Sequence, residues 1–270
     1  MDYFQDKVAL ISGGSRGVGL ATARALVKRG AKVVITARGE ARLKDSEERL
    51  TRAGGEVAAV AGDVGDRQDA QKMVRAAIDR FGRLDILVNN AGVSMRGNFS
   101  ELSPEVCERV IQTNLTGSVA LSRSAVEHLI EARGHLVFIS SIAGLFGLPG
   151  ASIYCATKGA LTGLAESLRL ELIPQGVHIG VVHLGFTEHD PEKRILAADG
   201  TPVLPDRPAH HTQDMAAGQI LRMIEKRKRR IVMTPAGKLG GIAYRLSPGL
   251  VERAILMAQS GKWGMFKRFS

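Results

Sequence analysis

Residues 7–19 read Lys7-Val8-Ala9-Leu10-Ile11-Ser12-Gly13-Gly14-Ser15-Arg16-Gly17-Val18-Gly19, and a helical pattern from Leu20 to Arg29 follows at once. An aliphatic run thus passes without a linker into a glycine-rich turn and then into the start of a helix. In such an arrangement Gly13 lets the chain turn, Gly17 lets the backbone approach an anion, and Gly19 lets helix and strand pack closely. The free amides and the dipole of the helix N-terminus supply the attraction for a phosphate. The spacing is not that of the GxGxxG fingerprint, and no Lys-Ser or Lys-Thr pair follows the glycines as a P-loop requires. By itself the turn also fits a bare strand-to-helix corner. Its place at the first βα junction of an alternating chain favours a nucleotide.

Outward from this turn, short β-branched runs alternate with longer amphipathic stretches. Strands are expected at 7–12, 32–36, 56–61, 84–89, 135–140 and 177–183, and helices at about 17–30, 39–53, 66–82, 103–132 and 152–174. Each strand is almost continuously apolar, as in Val33-Val34-Ile35, which suits burial on both faces. The expected class is α/β, a doubly wound parallel sheet with helices on both faces, in one domain. Gly30, Gly54-Gly55, Gly82, Gly134 and Pro174 punctuate helix ends, and Ser103-Pro104 opens one. The segment 184–211 has no steady period and reads as a loop or a pair of short helices. A helix over 212–227, a strand over 230–234 and a final helix over 248–260 follow. Leu250, Val251, Ala254, Ile255 and Ala258 would share the apolar face of the last helix. The chain divides into a main domain, 1–235, in which 184–211 lies over the site, and an extension, 236–270, packed on that domain or at an oligomer interface.

A chain of 270 residues that is 44% hydrophobic and 24% charged has ample material for one core. Cys107 and Cys155 cannot build a disulfide framework and lack zinc spacing, which suits a reducing cytoplasm. Met1 to Asp6 carry no basic segment, and the apolar run Val8 to Ile11 is too short for a signal peptide or a membrane span. The net charge of +10 points to an anionic partner without choosing one. Lys226-Arg227-Lys228-Arg229-Arg230 ends a helix, where cations belong, so no nucleic acid is expected. Adjacent histidines, His210-His211, face different ways and have no carboxylate cluster, so no metal is expected. The tail, Lys262-Trp263-Gly264-Met265-Phe266-Lys267-Arg268-Phe269, interleaves bases with aromatics. It reads as a subunit contact, a cover for the cleft or a membrane-surface foot, with the first two preferred.

The chemistry is carried by charge and spacing. After the second strand, NAD binders place an acid to meet the ribose hydroxyls, whereas a 2′-phosphate needs cations. Here Ala37-Arg38 follows that strand, with Arg16 in the glycine loop, and two guanidiniums clamp a phosphate well. NADP(H) is therefore expected ahead of NAD, although Glu40 stands nearby as an acidic partner. Farther along, Ser141 follows the fifth strand, and Tyr154 and Lys158 at i and i+4 share one helix face. Lowering a phenol's pKa from about 10 by two to three units takes roughly 3 to 4 kcal/mol, which one cation about 4 Å away supplies at an effective dielectric near 20. Tyr154 would then exchange protons near neutral pH, and Ser141 would hold a carbonyl oxygen on which charge develops.

The string Gly13 to Gly19, Asn89-Asn90-Ala91-Gly92, Asn114, Ser140-Ser141 and Tyr154-Cys155-Ala156-Thr157-Lys158 together resemble the classical short-chain dehydrogenases/reductases over about residues 5–190. The resemblance implies a seven-stranded Rossmann-type sheet and a catalytic tetrad of Asn114, Ser141, Tyr154 and Lys158. It implies that Gly13, Ser15, Arg16, Gly17, Val18 and Gly19 hold the cofactor's phosphates. It also implies that Asp63 and Val64 flank the adenine, and that Asn90, Ala91 and Gly92 line the cofactor channel. Lys158 would hold the nicotinamide ribose, and Asn114 a water for proton relay. After the sixth strand the family's Pro-Gly and threonine are replaced: Leu184 stands for the proline and His189 where threonine is usual, leaving Gly185 and Thr187 to meet the carboxamide. The resemblance further implies a homodimer or homotetramer and a small carbonyl or alcohol substrate of moderately apolar character. A dinucleotide-binding redox sensor or scaffold is the alternative class.

Overall fold

The computed structural model describes residues 2–188, 190–205 and 209–260. Strands β1 (Val8–Ser12), β2 (Lys32–Ala37), β3 (Val57–Ala61), β4 (Ile86–Asn89), β5 (His135–Ser141) and β6 (His178–Leu184) alternate with helices α1 (Gly17–Val27), α2 (Glu40–Arg52), α3 (Arg67–Phe81), α4 (Pro104–Ile111), α5 (Gly117–Glu131) and α6 (Ser152–Leu172). A hairpin of β7 (Ile195–Leu196) and β8 (Pro202–Val203) follows, then α7 (Gln213–Glu225), β9 (Arg230–Val232), α8 (Pro235–Leu246) and α9 (Pro248–Ser260). The main sheet has seven strands in the order β3-β2-β1-β4-β5-β6-β9, all pairs parallel. This is the Rossmann-type sheet expected from the sequence.

Strand periodicity explains the two layers of core. Val8 and Leu10 pack with Leu87, Leu136 and Phe138 toward α3, α5 and α6, while Ala9 and Ile11 pack with Val33, Ile35, Val88 and Ile139 toward α1, α2 and α7. At the lower edge, buried Asp85 accepts bonds from the Val8 amide at 3.0 Å and from Nε and Nη2 of Arg83 at 2.8 and 2.7 Å, so its charge is compensated. The caps explain where helices begin: Asp66 accepts from the Gln68 and Asp69 amides at the start of α3, and Ser103 from the Val106 amide before Pro104 opens α4.

Two expectations need correction. The single helix over 103–132 is interrupted by a π-helical turn, Gln112–Thr116, between α4 and α5. The 184–211 segment carries the β7–β8 hairpin instead of short helices, because Leu196 backbone groups bond to Ser94 and Arg96 beside it. On α9, Leu250 and Ala254 of the expected apolar face are exposed, while Val251, Ile255 and Ala258 are half-buried. His189 and the 262–269 tail lie outside the described residues. Among the described residues, no helix is long and apolar enough to cross a membrane.

Candidate active site

Strand order reverses between β1 and β4, so the loops leaving their upper ends diverge and open a crevice. A cleft of about 800 Å³ occupies that place, lined by the upper ends of six strands. Gly13, Ser15, Arg16, Gly17 and Val18 enter from β1, Arg38 and Arg42 from β2, Asp63 and Val64 from β3, Asn90, Ala91 and Gly92 from β4, Ser141 from β5, and Leu184, Gly185 and Thr187 from β6. Tyr154, Lys158, Lys193 and Arg194 complete the walls. A shallower hollow of about 820 Å³ beside α4 carries none of the Ser, Tyr and Lys chemistry.

The glycine loop is shaped to receive a backbone-bound anion. Gly13 and Gly17 have positive φ of 66° and 59°, and a Cβ on Gly17 would meet nothing within 4 Å. A Cβ on Gly19 would lie 2.2 Å from the Gly13 carbonyl oxygen, so only glycine lets α1 start against the turn. Sequence reasoning gave Ser12 no role, yet its Oγ accepts from the Asn90 and Ala91 amides, both at 3.0 Å. Asn90 Nδ2 in turn donates to the carbonyls of Ser12 and Gly13 at 2.9 and 3.1 Å, so this side chain holds the glycine loop to the β4 loop.

The middle of the cleft is organised by α6. Lys158, 5% exposed, donates from Nζ to the Ile139 carbonyl at 2.9 Å, and that Nζ lies 5.7 Å from the centre of the Tyr154 ring. Burial pushes the Lys158 pKa down to about 8, and the charge of Lys193 adds to the effect. Helix and strand are locked by Ser140, whose Oγ donates to the Lys158 carbonyl at 2.9 Å. The π turn carries buried Asn114 inward. Its Oδ1 accepts from the Val93 amide at 2.7 Å, while Nδ2 donates to the Val93 carbonyl at 2.9 Å and Thr157 Oγ1 at 3.2 Å. A Cβ on Gly92 would come 3.3 Å from Asn114 Oδ1 and 3.4 Å from Lys158 Nζ, so the three residues meet at one point.

Ser141 is steadied from behind. Its Oγ accepts from the Ala143 amide at 3.2 Å, and His183 Nδ1 donates to its carbonyl at 3.1 Å. Arg230 Nε, only a donor, meets the other ring nitrogen of His183 at 3.1 Å, which fixes the neutral tautomer. Burial holds the His183 pKa down at about 4. Sequence reasoning placed Arg230 only in the basic run 226–230 and gave His183 no role, because their meeting across β6 and β9 is not local. Thr187 is buried and donates to the Gly185 carbonyl at 3.2 Å.

The far end of the cleft is crowded with cations. Burial lowers the Arg16 pKa, and neighbouring Arg42, Arg38 and Arg194 lower it further. Arg38 lies 3.7 Å and Arg109 3.6 Å from Asp63 Oδ2. Arg42 pairs with Glu192, and Arg16 reaches the Glu192 carbonyl at 3.5 Å, tying this end to the segment before β7. Arg42 was overlooked in the sequence although it stands four residues after Arg38, one turn into α2.

Comparison with known proteins agrees with this architecture. The sequence model of the short chain dehydrogenase family matches residues 7–199. An uncharacterized oxidoreductase of Thermotoga maritima is 39% identical over 188 residues, covering 69% of this chain and 74% of its own. The uncharacterized oxidoreductase YxnA of Bacillus subtilis is 33% identical over 94% of this chain and 74% of its own. A short-chain dehydrogenase/reductase of Burkholderia phymatum, solved in complex with NAD, superposes with a TM-score of 0.83 at 26% identity, covering 93% of this chain and 96% of that one.

Proposed function

The chain belongs to the short-chain dehydrogenase family of oxidoreductases, and from that premise we propose that it transfers a hydride between NADP(H) and a carbonyl or secondary alcohol of a moderately apolar small molecule. The observation that carries the reading is the buried Lys158 ammonium beside the Tyr154 ring, in the same cleft as Ser141 and the glycine loop.

The residues fit a dinucleotide. The open backbone at Gly17 and the N-terminus of α1 suit its pyrophosphate, as do the neighbouring Ser15, Val18 and Gly19. Asp63 and Val64 would flank the adenine, Ala91 and Gly92 the channel, Lys158 the nicotinamide ribose, and Gly185 and Thr187 the carboxamide. Arg16, Arg38 and Arg42 supply the cations that a 2′-phosphate needs, which favours NADP(H) here even though the Burkholderia relative was solved with NAD. When bound, the nicotinamide donates or accepts the hydride. Tyr154 gives a proton to, or takes one from, the substrate oxygen. The Lys158 charge favours the phenolate and so brings that exchange into the neutral range. Ser141 Oγ donates to the same oxygen and stabilises the charge that develops there. Asn114 clamps the β4 loop to α6, and by the family resemblance it would hold a water that returns protons to Lys158.

Subunit assembly through the helices expected over 103–132 and 152–174, here α4 with α5 and α6, is supported by the exposed Ile111, Val119 and Leu170 on those elements. A second reading, a redox sensor without turnover, is favoured by Leu184 where the family has proline. The two separate on NADPH consumption against a panel of ketones and thioesters with Tyr154→Phe as control. Turnover that vanishes in the variant while NADPH binding survives supports the enzyme. Binding without turnover by the parent on every substrate overturns it in favour of the sensor.

A further inference from the structure

Helix α8 reverses the pattern of a helix lying on a globular core. Its inward face is glycine: a Cβ on Gly237 would come 2.7 Å from Ile142 Cγ2, one on Gly240 3.1 Å from Phe146 Cε1, and one on Gly241 3.3 Å from Leu145 Cδ1. Tyr244 is half-buried, its ring 6.3 Å from that of Phe146, but the bulky aliphatic residues point away from the protein, with Leu239 69%, Ile242 57% and Leu246 82% exposed. These three lie at i, i+3 and i+7 and form one stripe. Helix α9 adds exposed Leu250, Leu256 and Met257. Of the fourteen large hydrophobic residues exposed among the described ones, six therefore sit on these two adjoining helices. Water gives no reason for such an arrangement, so the stripe calls for an apolar partner.

Charge identifies that partner. From residue 235 onward the sequence carries Lys238, Arg245, Arg253, Lys262, Lys267 and Arg268 against Glu252 alone, which is half of the chain's net charge of +10. A second copy meeting this face symmetrically would set like charges against each other. An anionic surface would neutralise them. The sequence also continues beyond α9 with Trp263, Phe266 and Phe269 among its bases, the residue types favoured at a lipid–water boundary. We infer that α8 and α9 form a docking surface for an anionic phospholipid bilayer, with Leu239, Ile242, Leu246 and Leu250 entering the interface and Lys238 and Arg253 meeting the headgroups. The inference stands apart from the catalytic reading, since none of these residues lines the cleft.

The test is flotation of the full chain with vesicles of pure phosphatidylcholine and with vesicles one-third phosphatidylglycerol. The parent should float with the anionic vesicles alone and lose partitioning at high salt. Emission of Trp263, the sole tryptophan, should move to shorter wavelength on binding. Lys238→Gln and Arg253→Gln should each lower partitioning roughly fivefold. The triple variant Leu239→Ser/Ile242→Ser/Leu246→Ser should stay at the bottom of the gradient while keeping the parent's circular dichroism. A parent that does not float with anionic vesicles overturns the proposal, as does a triple variant that still floats. So does a triple variant that dissociates an oligomer in light scattering when the parent never floats, which would make the face a subunit contact.

Discussion

Replacing Lys158 by methionine tests the electrostatic premise through stability as well as activity. The amine is buried, its pKa moved from 10.5 to about 8, chiefly by desolvation. Below pH 8 the folded state therefore holds a charge it would rather lose, at a cost of about 3.5 kcal/mol from roughly 1.4 kcal/mol for each unit of pKa. The folded pKa is the depressed one. Between pH 8 and 10.5 the unfolded chain keeps this proton while the folded chain has released it, so the contribution to stability rises with pH across that window. Methionine fills similar space without charge but leaves the Ile139 carbonyl without its donor, which costs about 1–3 kcal/mol at every pH. The two effects roughly cancel at pH 7, and the diagnostic is the trend. Urea unfolding followed by circular dichroism should show the stability of Lys158→Met relative to the parent falling by about 2–3 kcal/mol between pH 7 and pH 10. Turnover should fall at least about a hundredfold. A flat difference across that range refutes the claim of a buried ammonium, and retained turnover refutes its role beside Tyr154.

Three further outcomes are expected. Arg38→Ala should weaken NADPH binding about 10- to 100-fold, the worth of charge-assisted bonds to a phosphate, with little effect on NADH; equal losses for both cofactors in fluorescence titration would place the 2′-phosphate elsewhere. Acid should destabilise the fold through His135, His178 and His183, whose pKa values burial depresses to about 3, 4 and 4. Their stabilising contribution is complete above the ordinary value of 6.5 and lost as pH falls toward 4, by about 2 kcal/mol per histidine at pH 5. His135→Phe should flatten that decline in urea titrations, and an unchanged slope would mean the ring is already charged in the fold. Gly19→Ala drives a methyl to 2.2 Å from the Gly13 carbonyl oxygen, so dinucleotide binding by calorimetry should be lost while the far-UV spectrum persists; unaltered affinity would show that the loop opens at no cost.

Residues that act through neighbours in the chain could be read from the sequence. Strand and helix periods depend on spacings of two and of three to four residues, so the alternation and the six strands through β6 are legible in the sequence. The glycine turn was visible for the same reason, as was the placement of Tyr154 and Lys158 on one helix face. Groups that meet only when distant segments pack were not visible. The π turn that carries Asn114 inward interrupts a pattern that otherwise looks continuous from 103 to 132, and its partners Val93 and Thr157 lie on other elements. His183 and Arg230 support Ser141 only because β9 is laid beside β6. The outward stripe of α8 depends on which face its glycines press against the loop after β5. Local periodicity thus settled the strands and most helices through β6 and the spacing of candidate groups, since both are properties of a single segment. Tertiary packing decided which charges are buried, which are paired and which apolar faces stay uncovered, because solvation and Coulomb energies depend on what surrounds a group in space.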